Sequence, residues 1–210
     1  MTASGQSPLL IGLTGSIGAG KSTVAAIIGE QYPVLDSDRI ARGIMDEDDA
    51  VRAALVREFG APVLADDGTI DRPYLAGVVF GDEKRLARLN AIVHPPTIAR
   101  IRAEASALHA AGTRLVFVES ALIFEAGIED EFDYTVAVLA DTETAIARVM
   151  ARDHCDRATA EDRMRNQLSP EQKAALADFT IRNDQGPEAL RKAAHIILLI
   201  LSRLGKRPAA

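Results

Sequence analysis

A glycine-rich segment near the N-terminus constrains the fold of this chain more than any other feature. Residues 15–22 read Gly-Ser-Ile-Gly-Ala-Gly-Lys-Ser, which fits the pattern G-x-x-x-x-G-K-[ST]. An apolar run at 9–13 precedes the segment, and a stretch of helical periodicity at 21–31 follows it. Glycines in such a turn let backbone N–H groups point at one anion, and the start of the helix adds its positive dipole end. The sequence therefore predicts a strand, a phosphate-binding loop and a helix.

The loop also indicates the kind of phosphate compound that binds. The Lys21 ammonium can reach the β- and γ-phosphates of a nucleotide, and the Ser22 hydroxyl can ligate Mg²⁺. GTPases recognise guanine through an N-K-x-D run, and the sequence contains none, so we predict ATP. The loop residues predicted to bind it are Gly15, Gly18, Ala19, Gly20, Lys21, Ser22 and Thr23.

Short β-rich runs that alternate with helical stretches predict an α/β fold of three layers, with helices on both faces of a parallel sheet. Five strands are expected, at 9–13, 34–36, 115–118, 134–139 and 179–181. From these strands, the nucleotide-binding core is predicted at 9–38 and 112–204. Residues 39–111 interrupt the alternation, and about 70 residues are more than a crossover needs. This segment predicts a helical insertion for a second substrate, with turns at 66–68 and around Pro95 and Pro96.

The C-terminal part of the chain predicts a lid and a closing helix. Residues 148–169 carry many charges around an apparent turn, and helix starts are expected at Thr159 and Ser169. Charged helices joined by a turn are suited to a mobile lid. The last helix, at 187–204, should pack on the sheet. Its predicted apolar stripe is Leu190, Ala194, Ile197, Leu201 and Leu204.

Composition narrows the class of partner. The 210 residues include 24 Lys and Arg against 30 Asp and Glu, and this acidic balance argues against general binding to nucleic acid or an anionic membrane. The most apolar run, at 196–201, is far shorter than the roughly 20 residues that a spanning helix needs. A single cysteine, Cys155, fits a reducing cytosol. We expect a cytoplasmic protein with a small-molecule substrate, either a monomer or a weak homo-oligomer.

Carboxylates follow two of the predicted strands. Asp36 and Asp38 come after the second strand, where ligands of an open parallel sheet bind. A carboxylate there can accept a proton from an attacking hydroxyl or hold Mg²⁺ through water. Either residue can instead cap a helix that begins at Arg39. Glu119, at the end of the third strand, is an alternative ligand of metal-bound water and equally an ordinary charge at a strand end.

Three arginines flank the predicted lid. Arg148 and Arg152 are four residues apart and share one helix face, while Arg163 lies across the turn. One guanidinium can stack on adenine while another binds phosphate oxygens. The alternative is a solvated charged face. The nucleotide-binding context favours phosphate contact by Arg152.

The sequence resembles the dephospho-CoA kinase family from about residue 9 to residue 204. The phosphate loop is common to many families, whereas two further segments in this order are specific: Leu-Asn-x-x-x-His-Pro at 89–95 and Leu-Ile-Phe-Glu at 122–125. Two positions depart from the family pattern. Ala121 stands where the family usually has proline, and Ser16 stands where it often has glycine. The other residues that carry the likeness are Asp36, Asp38, Arg42, Arg148, Arg152, Arg163, Gln167 and Asn183.

The resemblance implies a P-loop kinase fold and a specific reaction. ATP, with Mg²⁺, would phosphorylate the ribose 3′-hydroxyl of dephospho-CoA, giving coenzyme A and ADP in the last step of CoA synthesis. The resemblance implies that Asp38 is the base and that Lys21 and Arg152 assist, with Arg148 and Asn183 at the nucleotide. The residues it implies for the acceptor are Asp38, Arg42, Asn90, His94, Leu122 and Arg163.

Two other functions stay open at this point. One is another nucleoside-monophosphate or small-metabolite kinase of the same architecture, although the long insertion favours a bulky acceptor. The other is a binding module that ATP controls without catalysis. Asp38 and the lid arginines argue against that module, because a binder needs no base.

Overall fold

A five-stranded parallel sheet forms the centre of the protein in a computed structural model, which confirms the predicted α/β fold. The structure describes residues 7–79, 81–165 and 167–205. The strands lie in the order β2-β3-β1-β4-β5. They are β1 (Leu9–Gly15), β2 (Val34–Asp36), β3 (Leu115–Glu119), β4 (Tyr134–Leu139) and β5 (Phe179–Arg182).

Nine helices are described in these residues, together with 3-10 turns at Ala61–Val63 and Glu129–Glu131. No helix in the described residues is both long enough and apolar enough to cross a membrane. The helices are α1 (Lys21–Gly29), α2 (Ser37–Glu47), α3 (Asp49–Phe59), α4 (Arg72–Val79), α5 (Glu83–Ala110), α6 (Thr142–Asp153), α7 (Arg157–Arg165), α8 (Pro170–Leu176) and α9 (Pro187–Leu201).

Aliphatic side chains build the core around the central strand. All seven residues of β1 are buried, as expected of a parallel strand with both faces covered. Helices α1 and α9 contact each other and pack on one face of the sheet, where Val24 and Leu190 join the core. With β3 on one side of it and β4 on the other, β1 directs the loop after Gly15 to the middle of the carboxyl edge.

The described residues divide into two compact units. The first, within Met1–Asp36 and Ala105–Ala210, contains the sheet, α1 and α6 to α9. The second, Ser37–Glu104, contains α2 to α4 and most of α5, since its boundary falls inside that helix. This second unit has an apolar core of its own, formed by Val51, Leu55, Val63, Ile70, Leu75, Val79 and Val93.

The predicted turn around Pro95 and Pro96 is wrong, because α5 continues through both prolines. Proline removes a backbone donor and usually ends or kinks a helix. Here Val93, Thr97 and Ile101, at spacings of four, are buried on either side of the prolines. Thr97 also donates from its hydroxyl to the Val93 carbonyl at 2.7 Å. The burial of this stripe therefore stabilises the helix by more than the two missing backbone N–H donors destabilise it.

The predicted boundaries of two C-terminal helices need correction. Helix α7 begins at Arg157, before the predicted start at Thr159, because the Asp156 carboxylate accepts the Thr159 N–H at 2.8 Å and caps the helix. Helix α9 ends at Leu201, before the predicted end at Leu204. Its predicted apolar stripe packs on the core, with Ile197 and Leu204 partly buried there, and Leu198 is a further buried residue. The predicted start at Ser169 is confirmed, since its side chain and that of Gln172 form a reciprocal cap.

Candidate active site

The loop between β1 and α1 depends on two glycines with left-handed backbone angles. Gly18 has φ 77° and Gly20 has φ 91°. A Cβ on Gly18 would lie 2.3 Å from the Ala145 carbonyl oxygen, and one on Gly20 would lie 2.2 Å from Nδ2 of Asn183. Any larger residue would therefore displace the loop. Ser16 is outside this region of backbone space, so its departure from the family pattern causes no strain.

The first turn of α1 suits an anion. Its cap residue, Gly20, offers no side-chain hydrogen bond to the helix, and the first turn holds no acidic residue. The first N–H groups of a helix need partners from outside the helix, and together with the dipole they favour negative charge. Phosphate oxygens meet both requirements, so the geometry fits a nucleotide phosphate at this point.

A lysine and a serine at the start of α1 share one carboxylate oxygen. Lys21 Nζ lies 2.6 Å from Oε1 of Glu119, and the Ser22 hydroxyl donates to the same oxygen at 2.8 Å. The Lys21 and Glu119 side chains are about one-sixth exposed, at 16% and 17%. Glu119 ends β3 and lies in register with Asp36 of β2. Two strand ends thus bring carboxylates to the edge of the sheet from which the loop emerges.

Two predicted nucleotide-binding residues brace the loop from outside. Asn183, just after β5, is buried and donates from Nδ2 to the Ala19 carbonyl at 2.9 Å. Arg148 of α6 donates to the Asn183 carbonyl at 2.9 Å and to the Gly18 carbonyl at 3.4 Å. The structure therefore brings Arg148 and Asn183 together at the loop.

The other two lid arginines meet at Asp153, the last residue of α6. Arg152 donates from Nε and Nη2 to the two oxygens of Asp153 at 2.7 and 2.9 Å, and Arg163 of α7 donates to Oδ2 at 2.6 Å. The hydrogen bond from Arg152 lowers the pKa of Asp153, and the charge of Arg163 acts in the same direction. Both guanidinium groups are thus paired with Asp153 within the lid. The predicted roles of Arg152 and Arg163 stay predictions.

Four residues predicted to face the acceptor lie in the second unit. Asp38 and Arg42 belong to α2, and Asn90 and His94 belong to α5. Helix α2 begins at Ser37, so Asp38 lies inside its first turn and is not a cap for a helix that starts at Arg39. Partial burial lowers the pKa of His94, which favours its neutral form near pH 7.

Leu122 lies in the first unit, in the turn after β3, and its surface is 44% exposed. The segment that follows it is held firmly, since Ile123 and Phe124 are buried. An exposed leucine beside buried neighbours is free to contact a ligand, and the predicted role of Leu122 in binding the acceptor stays a prediction.

Comparison with known proteins defines the class of kinase. The family model described as dephospho-CoA kinase matches residues 9–188. The chain belongs to this family. A dephospho-CoA kinase from Anaeromyxobacter dehalogenans is 40% identical over 190 residues, which cover 90% of this chain and 90% of that protein. The match confirms the resemblance seen in the sequence.

Two solved structures resemble this chain over nearly its whole length. A Thermus thermophilus protein has a TM-score of 0.80 and 36% identity, covering 95% of this chain and all of its own. Dephospho-CoA kinase from Campylobacter jejuni has a TM-score of 0.67 and 26% identity, covering 92% of this chain and 97% of its own. These likenesses, with the strand order and the loop, confirm the P-loop kinase fold of this phosphotransferase.

Sequence reasoning missed the residues that hold the loop from the lid side. The N–H of Ile17 donates to Oε1 of Gln167 at 2.8 Å. Lys173 of α8 is fully buried and lies 2.8 Å from Oε1 of Glu125, which accepts the N–H of Leu168, the residue after Gln167. Lysine is almost never fully buried unless it is paired, and the partner of Lys173 is distant in the sequence. The burial of Lys173 could therefore not be predicted from one sequence. Glu125 and Gln167 belong to the family pattern, whereas Lys173 does not.

Proposed function

We propose that this chain transfers the γ-phosphoryl group of ATP to the ribose 3′-hydroxyl of dephospho-CoA, giving coenzyme A and ADP. The observation that carries the proposal is the family match over residues 9–188. That range includes the phosphate loop and the whole unit Ser37–Glu104, the part that would recognise the acceptor. A match limited to the loop would support ATP binding alone.

Lys21 would stabilise the charge that develops on the transferred group. Kinases of this kind work mainly by positioning and electrostatic stabilisation, because the transition state is loose. The Lys21 ammonium has three donors, and one of them already contacts Glu119. The remaining donors can contact phosphate oxygens while Glu119 keeps the side chain oriented.

The base is better assigned to Asp38 than to Glu119. Oε1 of Glu119 already accepts hydrogen bonds from Lys21 and Ser22. An oxygen engaged in this way is poorly placed to take a proton from a hydroxyl. Asp38 follows the carboxyl end of β2 by two residues along the chain, which agrees with its position in the family pattern.

Ser22 and Glu119 would hold Mg²⁺. Hydroxyl and carboxylate oxygens are the ligands that Mg²⁺ prefers, and it usually takes one or two carboxylates plus substrate phosphates. The two side chains already lie 2.8 Å apart at the phosphate end of the loop. Among the described residues, no group of three or more His, Cys, Asp or Glu forms a metal cage, so this ligand set suits an ion shared with the nucleotide. When bound, Mg²⁺ neutralises charge on the β- and γ-phosphates.

The two units would divide the work. The core at 9–38 and 112–204 would bind ATP, the insertion at 39–111 would bind dephospho-CoA, and the lid at 148–169 would close over the phosphates. The cytoplasmic location and the monomeric or weakly oligomeric state predicted from the sequence stay predictions.

Acceptor specificity tests the proposal directly. The purified chain with ATP and Mg²⁺ is offered dephospho-CoA, AMP or shikimate, and ADP formation is followed. We expect turnover with dephospho-CoA alone, and a phosphorus NMR spectrum should place the new phosphate on the ribose 3′ oxygen. Faster ADP formation with AMP would favour the nucleoside-monophosphate kinase, and no turnover with ATP binding intact would favour the binding module.

Arg152 provides a test of the lid. Arg152→Met is expected to lower kcat/KM for ATP by about 10- to 100-fold, the cost of one or two charged hydrogen bonds to phosphate. The Tm should hardly change, because the Arg152 side chain is 61% exposed. Arg165→Met is the matched control, since Arg165 of α7 is 72% exposed and pairs only weakly with Asp162.

Hydrogen exchange gives a second measure of the lid. We expect ATP to slow amide exchange within 153–165, because closure excludes water and moves Arg152 onto phosphate. Equal exchange with and without ATP, together with wild-type kinetics in Arg152→Met, would argue against a moving lid.

A further inference from the structure

A buried ion pair between α8 and the turn after β3 takes no part in phosphoryl transfer. Lys173 has no exposed surface, and its Nζ lies 2.8 and 3.0 Å from the two oxygens of Glu125. The same ammonium donates to the Ala121 carbonyl at 2.9 Å. Apolar residues of similar size often give equal or better stability than a buried ion pair. Stability alone is therefore a weak explanation for this pair.

The pair holds a short segment between α7 and α8. Oε1 of Glu125 accepts the N–H of Leu168 at 2.9 Å, which fixes the backbone just before the cap of α8. We call Gln167 and Leu168 the strap. Lys173 holds the Glu125 carboxylate in the orientation that receives this N–H, and Glu125 is thus the link between α8 and the strap.

The strap in turn holds the phosphate loop at two neighbouring residues. Oε1 of Gln167 accepts the N–H of Ile17 at 2.8 Å, and the Leu168 carbonyl accepts the Ser16 hydroxyl at 3.4 Å. Ser16 is buried, so this side of the loop is enclosed by the strap. Without Gln167, the N–H of Ile17 would need another partner, and the loop would be free to turn.

A second connection reaches the loop from the strand that precedes it. The Ala121 carbonyl that receives Lys173 also accepts the hydroxyl of Thr14 at 3.2 Å. Thr14 lies in β1 next to Gly15, where the loop begins. Lys173 is therefore linked to the loop through Ala121 at its start and through Glu125 and the strap at its middle.

We propose that Glu125, oriented by Lys173, is a positioning residue for nucleotide binding: it fixes the strap, and the strap sets the phosphate loop in its binding conformation. Donors fixed in advance bind an anion without reorganisation, so a loose loop binds nucleotide more weakly. The inference rests on the proposed function only in taking a nucleotide as the loop's ligand. It makes no use of the acceptor.

Replacing both members of the pair tests the proposal. Lys173→Met/Glu125→Met removes both charges and the acceptor of the Leu168 N–H while keeping side-chain volume. We expect the Kd for ADP, measured by calorimetry, to rise about tenfold. A change of this size corresponds to the loss of one charge-assisted hydrogen bond, here the bond that holds the strap against the loop. Amide exchange at Ile17 should accelerate, while KM for dephospho-CoA stays unchanged. A purely structural pair would lower Tm and leave the Kd and the Ile17 exchange as they were.

A conservative variant supplies the rescue. Lys173→Met/Glu125→Gln also lacks the ion pair, but its carboxamide oxygen can still accept the Leu168 N–H. The Kd for ADP is expected to lie between that of the parent and that of the Met variant, because the acceptor of the Leu168 N–H is kept while the orientation that Lys173 supplies is lost. Equal weakening in the Met and Gln variants would contradict a link through Leu168.

Two further measurements keep the outcome decisive. If the double variant does not fold, Gln167→Met breaks only the contact with Ile17, and it should raise the Kd for ADP about tenfold as well. Parent-like ADP binding in Gln167→Met would overturn the proposal. ADP binding also separates this inference from the proposed function. If the parent chain makes no coenzyme A but the variants bind ADP more weakly than the parent, dephospho-CoA is not the acceptor and the role proposed for the strap is still supported.

Discussion

Lys21→Met is expected to lower kcat by about a hundred- to a thousandfold, the range measured when one preorganised electrostatic donor is removed from an active site. The role proposed for the ammonium is to stabilise charge that grows in the transition state, so its loss should affect kcat more than nucleotide affinity. The fold should survive. Methionine keeps the length of the side chain, and Ser22 still donates to Glu119 at 2.8 Å.

Lys192→Met is the matched control for this lysine. Lys192 lies on α9 and is exposed, so its removal changes the net charge equally without touching the loop. Kcat for both variants is measured with saturating ATP and dephospho-CoA, and Tm is measured alongside. Near-parent turnover in Lys21→Met would refute the assignment of the phosphate loop as the catalytic site.

The strands were predictable because their sequence pattern and their environment agree. Strand β4 runs over Tyr134–Leu139, as predicted, and β1 and β3 extend the predicted runs by two residues and by one. A parallel strand buried on both faces has to be almost continuously apolar, which makes short β-rich runs conspicuous. The loop was equally visible, because Gly18 and Gly20 occupy positions that a side chain could not.

The errors share a different physical origin. Pro95 and Pro96 end a helix by local preference, yet burial of Val93 and Thr97 in α5 overrides that preference. Local rules do not contain the tertiary contacts that decide such cases. Long-range polar contacts could not be predicted for the same reason, since nothing near Lys173 in the sequence indicates that its partner is Glu125.

The sequence therefore identified some of the candidate site residues together with their roles, and others without a role. Lys21 and Ser22 follow from a single local motif, and Arg148 and Asn183 follow from family likeness and meet at the loop. Gln167 belonged to the family pattern without a stated task, and only the contact with Ile17 gives it one. A motif identifies the residues that touch phosphate, whereas the residues that hold the motif in shape depend on the fold.

Asp38→Asn is the substitution that decides where the base lies. We expect kcat to fall by about 10²–10⁴, the usual contribution of one general base, with little change in KM for ATP. Asparagine keeps the shape of aspartate and loses its basicity. Because Asp38 lies in the first turn of α2, asparagine also loses a favourable interaction with the helix dipole, worth about 0.3–1 kcal/mol of stability.

The stability effect and the catalytic effect can be separated with a neighbouring helix. Asp49 occupies the first turn of α3 and its side chain is 93% exposed, so Asp49→Asn should cost similar stability and leave kcat unchanged. A kcat loss in Asp38→Asn that exceeds the Asp49→Asn control by two orders of magnitude would assign the base. If Asp38→Asn is fully active while Asp36→Asn or Glu119→Gln is inactive, the base belongs to one of the two strand-end carboxylates. In that event the register of Asp36 with Glu119 would place proton transfer and metal binding at the same edge of the sheet.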